Sequence, residues 1–297
     1  MLSPVQLRAR LLPVVTVFAI IVAAVPVIRA AAPGAMVLRD ARALALPEPG
    51  AVRVYLSIEN QGEADRLLGA QAPGATATLV NPEAPEGAAI PARMRAELGP
   101  DGAYVLLTGL EGAMIDGRRI PLSLVFANAG TLEVQAQLQT ARPAAESETR
   151  DPRQHSPALS GKDANALHLD PSLIAGLDPS LDPNLDHNGL CIVGDSVERI
   201  ALFLDATPMG DTWQFTAMTQ GFVYSDTFVG GPHFPGLGHG HLFLDGLRLG
   251  QLFAPEGEIG ALPPGTSRLR VTLSRNDHSL YTIGDRPVSA TLRIDVP

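Results

Sequence analysis

Val52-Arg-Val-Tyr-Leu-Ser-Ile58 alternates apolar and polar side chains, and the turn Asn60-Gln-Gly62 follows it closely. Alternation with a period of two is typical of a half-buried β-strand. Beyond it come more short apolar runs, separated by Gly, Asn and Pro, and no long stretch with a helical period. The pattern predicts an antiparallel β-sandwich with few helices. The further runs of this half are Tyr104-Val-Leu-Leu107, Leu122-Ser-Leu-Val-Phe126 and Leu132-Glu-Val134.

A second group of apolar runs occupies residues 191–297. Asp245-Gly246 separates two of these runs, and this dipeptide is a strong signal for a two-residue hairpin turn. Residues 141–190, in contrast, are rich in Ala, Pro, Ser, Asp and Asn, which is typical of a linker. We therefore expect an all-β chain of two antiparallel sandwich domains, residues 36–140 and 191–297, joined by an Asp/Pro-rich linker.

The linker contains a partial match to a calcium-binding loop. The calcium-loop template requires Asp at its first position, Glu at its last position and a helix on each side. Here the strand-like run Cys191-Ile-Val193 follows instead of a helix. A turn-rich spacer is therefore favoured over a calcium site. The matching residues are Asn184, Asp186, Asn188, Gly189 and Asp195.

Residues 1–32 have the features of an export signal. Arg8 and Arg10 precede an apolar run from Leu11 to Ile28, and small residues follow it. The run is about as long as a bilayer requires, so a retained anchor in the inner membrane competes with a cleaved signal peptide. Both alternatives predict a periplasmic or other extracytoplasmic protein that meets the membrane only through this segment.

Charge and cysteine content exclude two further features. The net charge of −9 and the pI near 5.2 argue against a nucleic-acid partner, because phosphate binding requires a basic surface. Cys191 is the single cysteine, so no disulfide can form within the chain. We expect the domains to be held together by core packing alone.

Four segments of the first domain resemble the periplasmic copper chaperones of the PCu(A)C type, over roughly residues 50 to 138. The resemblance implies a cupredoxin-like or Ig-like sandwich and a copper-chaperone role, with an acceptor partner such as a respiratory oxidase subunit. That family binds copper through a His, a Met and a His-x-Met pair, ligands that suit Cu⁺. The segments are Val54–Asn60, Ala64–Ala70, Thr108–Leu110 and Ile120–Phe126.

The copper ligands implied by this resemblance are replaced. The first family His falls on or near Asn81, and the His-x-Met pair falls on Tyr104 and Leu106. Met94 aligns with the family's middle Met, but one thioether does not make a copper site. We expect Met94 and Met114 to be packing residues, and the first domain to keep the fold without the site.

All seven histidines follow residue 154, so any metal chemistry is expected in the second domain. His239 and His241 are spaced i and i+2 and face the same way if their strand begins by Gly238. His278, in the loop Asn276-Asp-His278, is a candidate third ligand. His233 is a candidate fourth, and Met209 or Met218 a soft axial ligand if the metal is copper, which we favour over zinc.

The second domain also resembles a domain of secreted bacterial proteins with a Gly-His-x-His-Leu strand, an Asp-Gly hairpin and a Leu-Pro-x-Gly turn. That resemblance implies no biochemical role. The alternative for His239 and His241 is a hydrogen-bonding corner without metal. The linker residues His155, His168 and His187 are predicted to be solvated, and Cys191 to be a buried apolar residue.

Three functions compete. The first is an extracytoplasmic copper-binding accessory protein that passes the metal to an acceptor. The second is a structural or interaction protein of the cell envelope without metal. The third, an enzyme, is disfavoured because the sequence shows no nucleophile elbow, phosphate loop or HExxH motif.

Overall fold

The computed structural model describes residues 35–140, 190–192, 200–283 and 286–297. Every regular element within these ranges is a β-strand, which confirms the all-β prediction. Among these residues no helix is long and apolar enough to cross a bilayer. The predicted export signal, the calcium template and the histidines His155, His168 and His187 lie outside the described residues.

Strand β2 (Val52–Asn60) is the central strand of the first domain. One edge pairs with β1, while the other pairs with β7 near its start and with β6 near its end. The predicted alternation is only partly visible in its burial, because Tyr55 and Ser57 are buried as well. The other strands are β1 (Met36–Ala45), β3 (Asp65–Gln71), β4 (Thr76–Val80), β5 (Ala88–Ile90), β6 (Arg95–Leu98), β7 (Tyr104–Thr108), β8 (Arg119–Phe126) and β9 (Thr131–Gln139).

Strand β14 (Leu237–Leu244) has the same position in the second domain, because it lies between β15 and β17 and is buried throughout. A separate sheet contains β11, β12 and β16. The remaining strands are β10 (Leu190–Ile192), β11 (Ala201–Met209), β12 (Thr212–Gln220), β13 (Val223–Tyr224), β15 (Leu247–Leu252), β16 (Glu256–Ile259), β17 (Gly265–Ser274), β18 (Leu280–Ile283), β19 (Arg286–Pro287) and β20 (Ser289–Val296).

The predicted hairpin at Asp245-Gly246 is confirmed. Leu244 pairs with Leu247, and the two residues between them have φ values of 48° and 78°. Positive φ at both central positions is the requirement of a type I′ turn, whose twist matches that of the flanking strands. Asp tolerates this conformation and Gly adopts it freely, so the dipeptide fits the turn.

Among the described residues three strand pairs are parallel, although most pairs are antiparallel as predicted. The parallel pairs are β1 with β9, β10 with β18, and β13 with β14. The first two pairs join strands that are far apart in the chain, whereas β13 and β14 follow each other and are connected by residues 225–236. Local sequence patterns predicted none of the three, because they do not specify which strands pair.

The two domains are in direct contact. Arg248 of β15 pairs with Glu97 of β6, and the buried apolar residues of both domains form one continuous cluster. The turn Asp245-Gly246 also reaches the first domain, since Asn81 Nδ2 donates to the carbonyl of Asp245 at 2.8 Å and Ala103 N donates to that of Gly246 at 2.7 Å. The second domain therefore packs on the first rather than only following it along the chain.

Candidate metal centre

Strand β14 positions His239 and His241. The sequence predicted a shared face for the two histidines if their strand begins by Gly238. The strand begins at Leu237, so this condition is met. Side chains two residues apart on a strand share a face, and the Nε2 atoms of the two rings are 3.1 Å apart. Both imidazoles are buried, with 0% and 3% of their surface exposed.

The hairpin loop between β17 and β18 positions His278. Its amide donates to the carbonyl of Arg275 at 3.1 Å, and Arg275 N donates to the carbonyl of Ser279 at 2.8 Å. His278 has a φ of 68°, in the left-handed region. A tight turn that ends in a left-handed residue is a common form of short hairpin loop, and His is one of the side chains enriched there. This backbone conformation brings the ring toward β14.

The three imidazoles form a compact group. Each offers one nitrogen, and these atoms all lie within 4.8 Å of one another. The His278 ring centroid is 4.8 Å from that of His239 and 6.3 Å from that of His241. Two nitrogens bound to one tetrahedral zinc ion are about 3.4 Å apart, given Zn–N bonds of about 2.0–2.1 Å. Small ring rotations would therefore allow all three to bind a single ion.

The same contact between His239 and His241 has a second chemical interpretation. A neutral imidazole can donate from one ring nitrogen to the bare nitrogen of another, and 3.1 Å between the Nε2 atoms suits such a hydrogen bond. The corner without metal and the metal centre are thus both compatible with this pair. The position of His278 favours the metal centre, because a hydrogen-bonded pair does not require a third ring.

The other predicted ligands are not in this group. His233 is 8% exposed, and its ring packs against that of Tyr281, with centroids 5.6 Å apart. Met209 and Met218 are 59% and 58% exposed, on β11 and β12 of the separate three-stranded sheet. The structure brings together three of the six residues that the sequence singled out.

Asp277 stabilises the loop that carries His278. Its carboxylate accepts hydrogen bonds from Ser279 N at 3.0 Å and Ser279 Oγ at 2.6 Å, and lies 3.9 Å from Arg275 Nη2. Burial raises the pKa of Asp277, but the bonds from Ser279 and the charges of Arg275 and His233 outweigh it. The pKa of Asp277 is therefore below its ordinary value, and the carboxylate is charged at neutral pH.

Three polar residues beside the histidines were missed by sequence reasoning. Strand register pairs Ser274 with His239, and both Thr272 and Gln251 with His241. Directly paired residues of antiparallel strands lie on the same face of the sheet. The only sequence signal was the alternation of polar and apolar residues along β17, which does not say which strand lies opposite.

The first-domain positions that the family resemblance aligns with copper ligands have other contacts. Asn81 bonds to Asp245, and Met94 Sδ accepts a hydrogen bond from Gly260 N at 3.1 Å. The Tyr104 ring meets that of Tyr55 edge-on, with centroids 6.4 Å apart. Met94 and Met114 pack against the core, as expected for packing residues. Two of the aligned positions, those of Asn81 and Met94, thus contact the second domain.

A separate cleft of about 590 Å³ lies where the domains meet. None of its lining residues is a histidine, and charged side chains of both signs are frequent among them. A metal site requires converging ligand atoms rather than volume, so the histidine group is the stronger candidate site. The charged lining residues are Asp40, Arg42, Arg95, Glu97, Asp101 and Arg248.

Comparison with solved structures finds copper-binding domains. The copper-bound PCuAC domain from PmoF2 is 20% identical and covers 36% of this chain and 95% of its own, with a TM-score of 0.33. The CuI-DR1885 protein from Deinococcus radiodurans is 26% identical and covers 37% of this chain and 80% of its own, with a TM-score of 0.30.

Comparison with protein families and with curated proteins gives one match. No curated protein matches the chain. Residues 36–138 match the family described as "Putative lipoprotein LpqE-like". This range contains the segment for which the sequence predicted a PCu(A)C-type resemblance, and it ends before the histidine-bearing domain. Residues 36–138 are therefore similar to the LpqE-like family, and the match covers about a third of the chain.

Proposed function

We propose that this chain is an extracytoplasmic metal-binding protein of the copper-chaperone kind, whose metal site is His239, His241 and His278. One observation carries the proposal: three imidazole nitrogens lie within 4.8 Å of one another at a largely buried position. Imidazole is a good ligand for copper and zinc.

The choice of copper as the transported metal depends on the first domain. Its resemblance to PCu(A)C-type chaperones directs the proposal to copper rather than zinc, and to delivery of the metal to an acceptor such as an oxidase subunit. Met209 and Met218 are largely exposed on the separate three-stranded sheet, so the site is proposed with nitrogen ligands alone. We propose that Met209, Met218 and His233 are not ligands.

A location outside the cytoplasm agrees with two features. The N-terminal segment has the composition of an export signal, and the family that residues 36–138 match is described as "Putative lipoprotein LpqE-like". We propose that the protein acts in the periplasm or at the outer side of the cytoplasmic membrane, with the N-terminal segment as its anchor if it is retained.

Metal titration of the purified protein tests the proposal. We expect one equivalent of Cu⁺, Cu²⁺ or Zn²⁺ to bind tightly, and His239→Ala, His241→Ala and His278→Asn each to weaken binding by at least about tenfold, the effect of losing about 1.4 kcal/mol. His278→Asn keeps a residue that tolerates positive φ, so the loop is preserved.

His233→Ala is the matched control, since it removes a buried imidazole that lies outside the group. Binding that survives loss of His239, or that depends equally on His233, contradicts the proposed site. Absence of any binding contradicts a metal function altogether.

The second candidate is an interaction protein without metal, and one surface favours it. Phe203 and Met218 are directly paired on β11 and β12 and are 60% and 58% exposed. Adjacent exposed apolar side chains often mark a contact surface. A protein that binds no metal in the titration, and whose thermal unfolding is unchanged by all of the metals, would favour this second function.

A further inference from the structure

We infer that the metal centre keeps one coordination position open to a small anion, and that Gln251, Thr272 and Ser274 bind this anion. The inference rests on the proposed function, because it requires an ion held by His239 and His241. It adds a ligand class to the site and assigns three residues to binding that ligand.

Strand register is the first observation. Gln251 of β15 and Thr272 of β17 flank His241 from opposite sides, and Ser274 of β17 is paired with His239. Cβ atoms of directly paired residues are about 4.5–5.5 Å apart. The three polar side chains therefore surround the two imidazoles on one face of the sheet.

The burial of these side chains is the second observation. Gln251, Thr272 and Ser274 are 3%, 4% and 0% exposed. Gln251 Nε2, Thr272 Oγ1 and Ser274 Oγ have no hydrogen-bond partner among the described residues. A buried polar atom without a partner costs about 1–3 kcal/mol. Three such atoms around one histidine pair indicate a polar ligand that satisfies them.

The donor chemistry identifies the kind of ligand. Gln251 Nε2 only donates hydrogen bonds, and the hydroxyls of Thr272 and Ser274 can donate as well. Three protein ligands leave one position open on a four-coordinate ion, and such open sites bind water or another exogenous ligand. A position that faces both a cation and hydrogen-bond donors suits a small anion, such as azide, formate or hydroxide.

Azide titration of the Co²⁺-loaded protein tests the inference, because the visible absorption of Co²⁺ reports its ligands. We expect one equivalent of Co²⁺ to bind and azide to change the absorption. Thr272→Val, which keeps the side-chain shape, and Gln251→Met should each weaken azide binding by about five- to tenfold, the effect of one hydrogen bond. Their Co²⁺ affinity should stay within about twofold of the parent protein.

Thr266→Val is the matched control, since it makes the same change on the same strand at an exposed position. Circular dichroism identifies a variant that fails to fold, and the other variant then decides. If Co²⁺ binds but azide leaves the absorption unchanged, or both variants bind azide like the control, the inference is overturned while the proposed function stands. If no Co²⁺ binds, the inference fails, whereas the proposed function is decided separately by the copper and zinc titration.

Discussion

Asp245 has two roles at the level of the single residue, because it forms the hairpin turn and also contacts the first domain. Its carboxylate accepts hydrogen bonds from Ala89 N at 3.0 Å and Arg268 N at 2.7 Å, and lies 3.7 Å from Arg66 Nη1. The residue is 1% exposed. A buried carboxylate is tolerated only when its oxygens are satisfied in this way.

Asp245→Asn should therefore lower the free energy of unfolding by about 1–3 kcal/mol. Asn keeps the turn conformation, but its amide group replaces one acceptor oxygen with a donor that faces a backbone N–H. Urea denaturation measures the change. Asp205→Asn, at an exposed position of β11, is the control, and an equal effect of the two substitutions would show that the buried contacts of Asp245 do not stabilise the fold.

His278 shows at the same scale how backbone conformation selects a ligand. Sequence reasoning named both His278 and His233 as additional ligands, and nothing in the local sequence distinguished them. The left-handed conformation of His278 and the bonds of Asp277 to Ser279 position one ring beside β14. The His233 ring lies outside the group and packs against Tyr281.

At the level of elements, close backbone contacts join two segments of the second domain, the β14–β15 hairpin turn and the residue after β16, to the first domain. A Cβ at Gly102 would overlap the carbonyl oxygen of Gly246, and a Cβ at Gly260 would overlap that of Ala92. Neither Gly102 nor Gly260 has a positive φ, so what requires glycine here is space rather than backbone conformation.

Gly102→Ala should destabilise the protein by about 1–3 kcal/mol, because the loop that contains Gly102 and the turn at Gly246 must move apart to admit the methyl group. Gly99→Ala is a close control, since a Cβ there meets nothing within 4 Å and Gly99 also lacks a positive φ. Thermal denaturation of the two variants measures the difference. Equal denaturation temperatures of the two variants would mean that the contact between the hairpin and the first domain can widen without loss of stability.

For the whole molecule, the shared interface predicts how the protein unfolds. The β6–β15 pairing and the continuous apolar cluster couple the two domains. We expect a single calorimetric transition, with the calorimetric enthalpy equal to the van't Hoff enthalpy. Two separate transitions would show instead that the domains fold independently and that their contact is weak.

The fold class, the Asp245-Gly246 hairpin and the shared face of His239 and His241 were determined by the sequence by itself. Each depends on neighbours within a few residues, where the strand period of two and the turn preferences of Asp and Gly act directly. The sequence was also sufficient to predict that the copper ligands of the family are replaced in the first domain. This prediction requires only the residue identities at the aligned positions.

Only the tertiary structure decided which residues surround that histidine pair. His278 joins it through a hairpin, and Gln251, Thr272 and Ser274 through strand register. Asn81 donates a hydrogen bond to the carbonyl of Asp245, which is 164 residues away in the chain. From the family resemblance, Asn81 was known only as the replacement of a copper-binding histidine. Contacts of this kind depend on which strands pair and how the domains pack, and no local pattern encodes that choice.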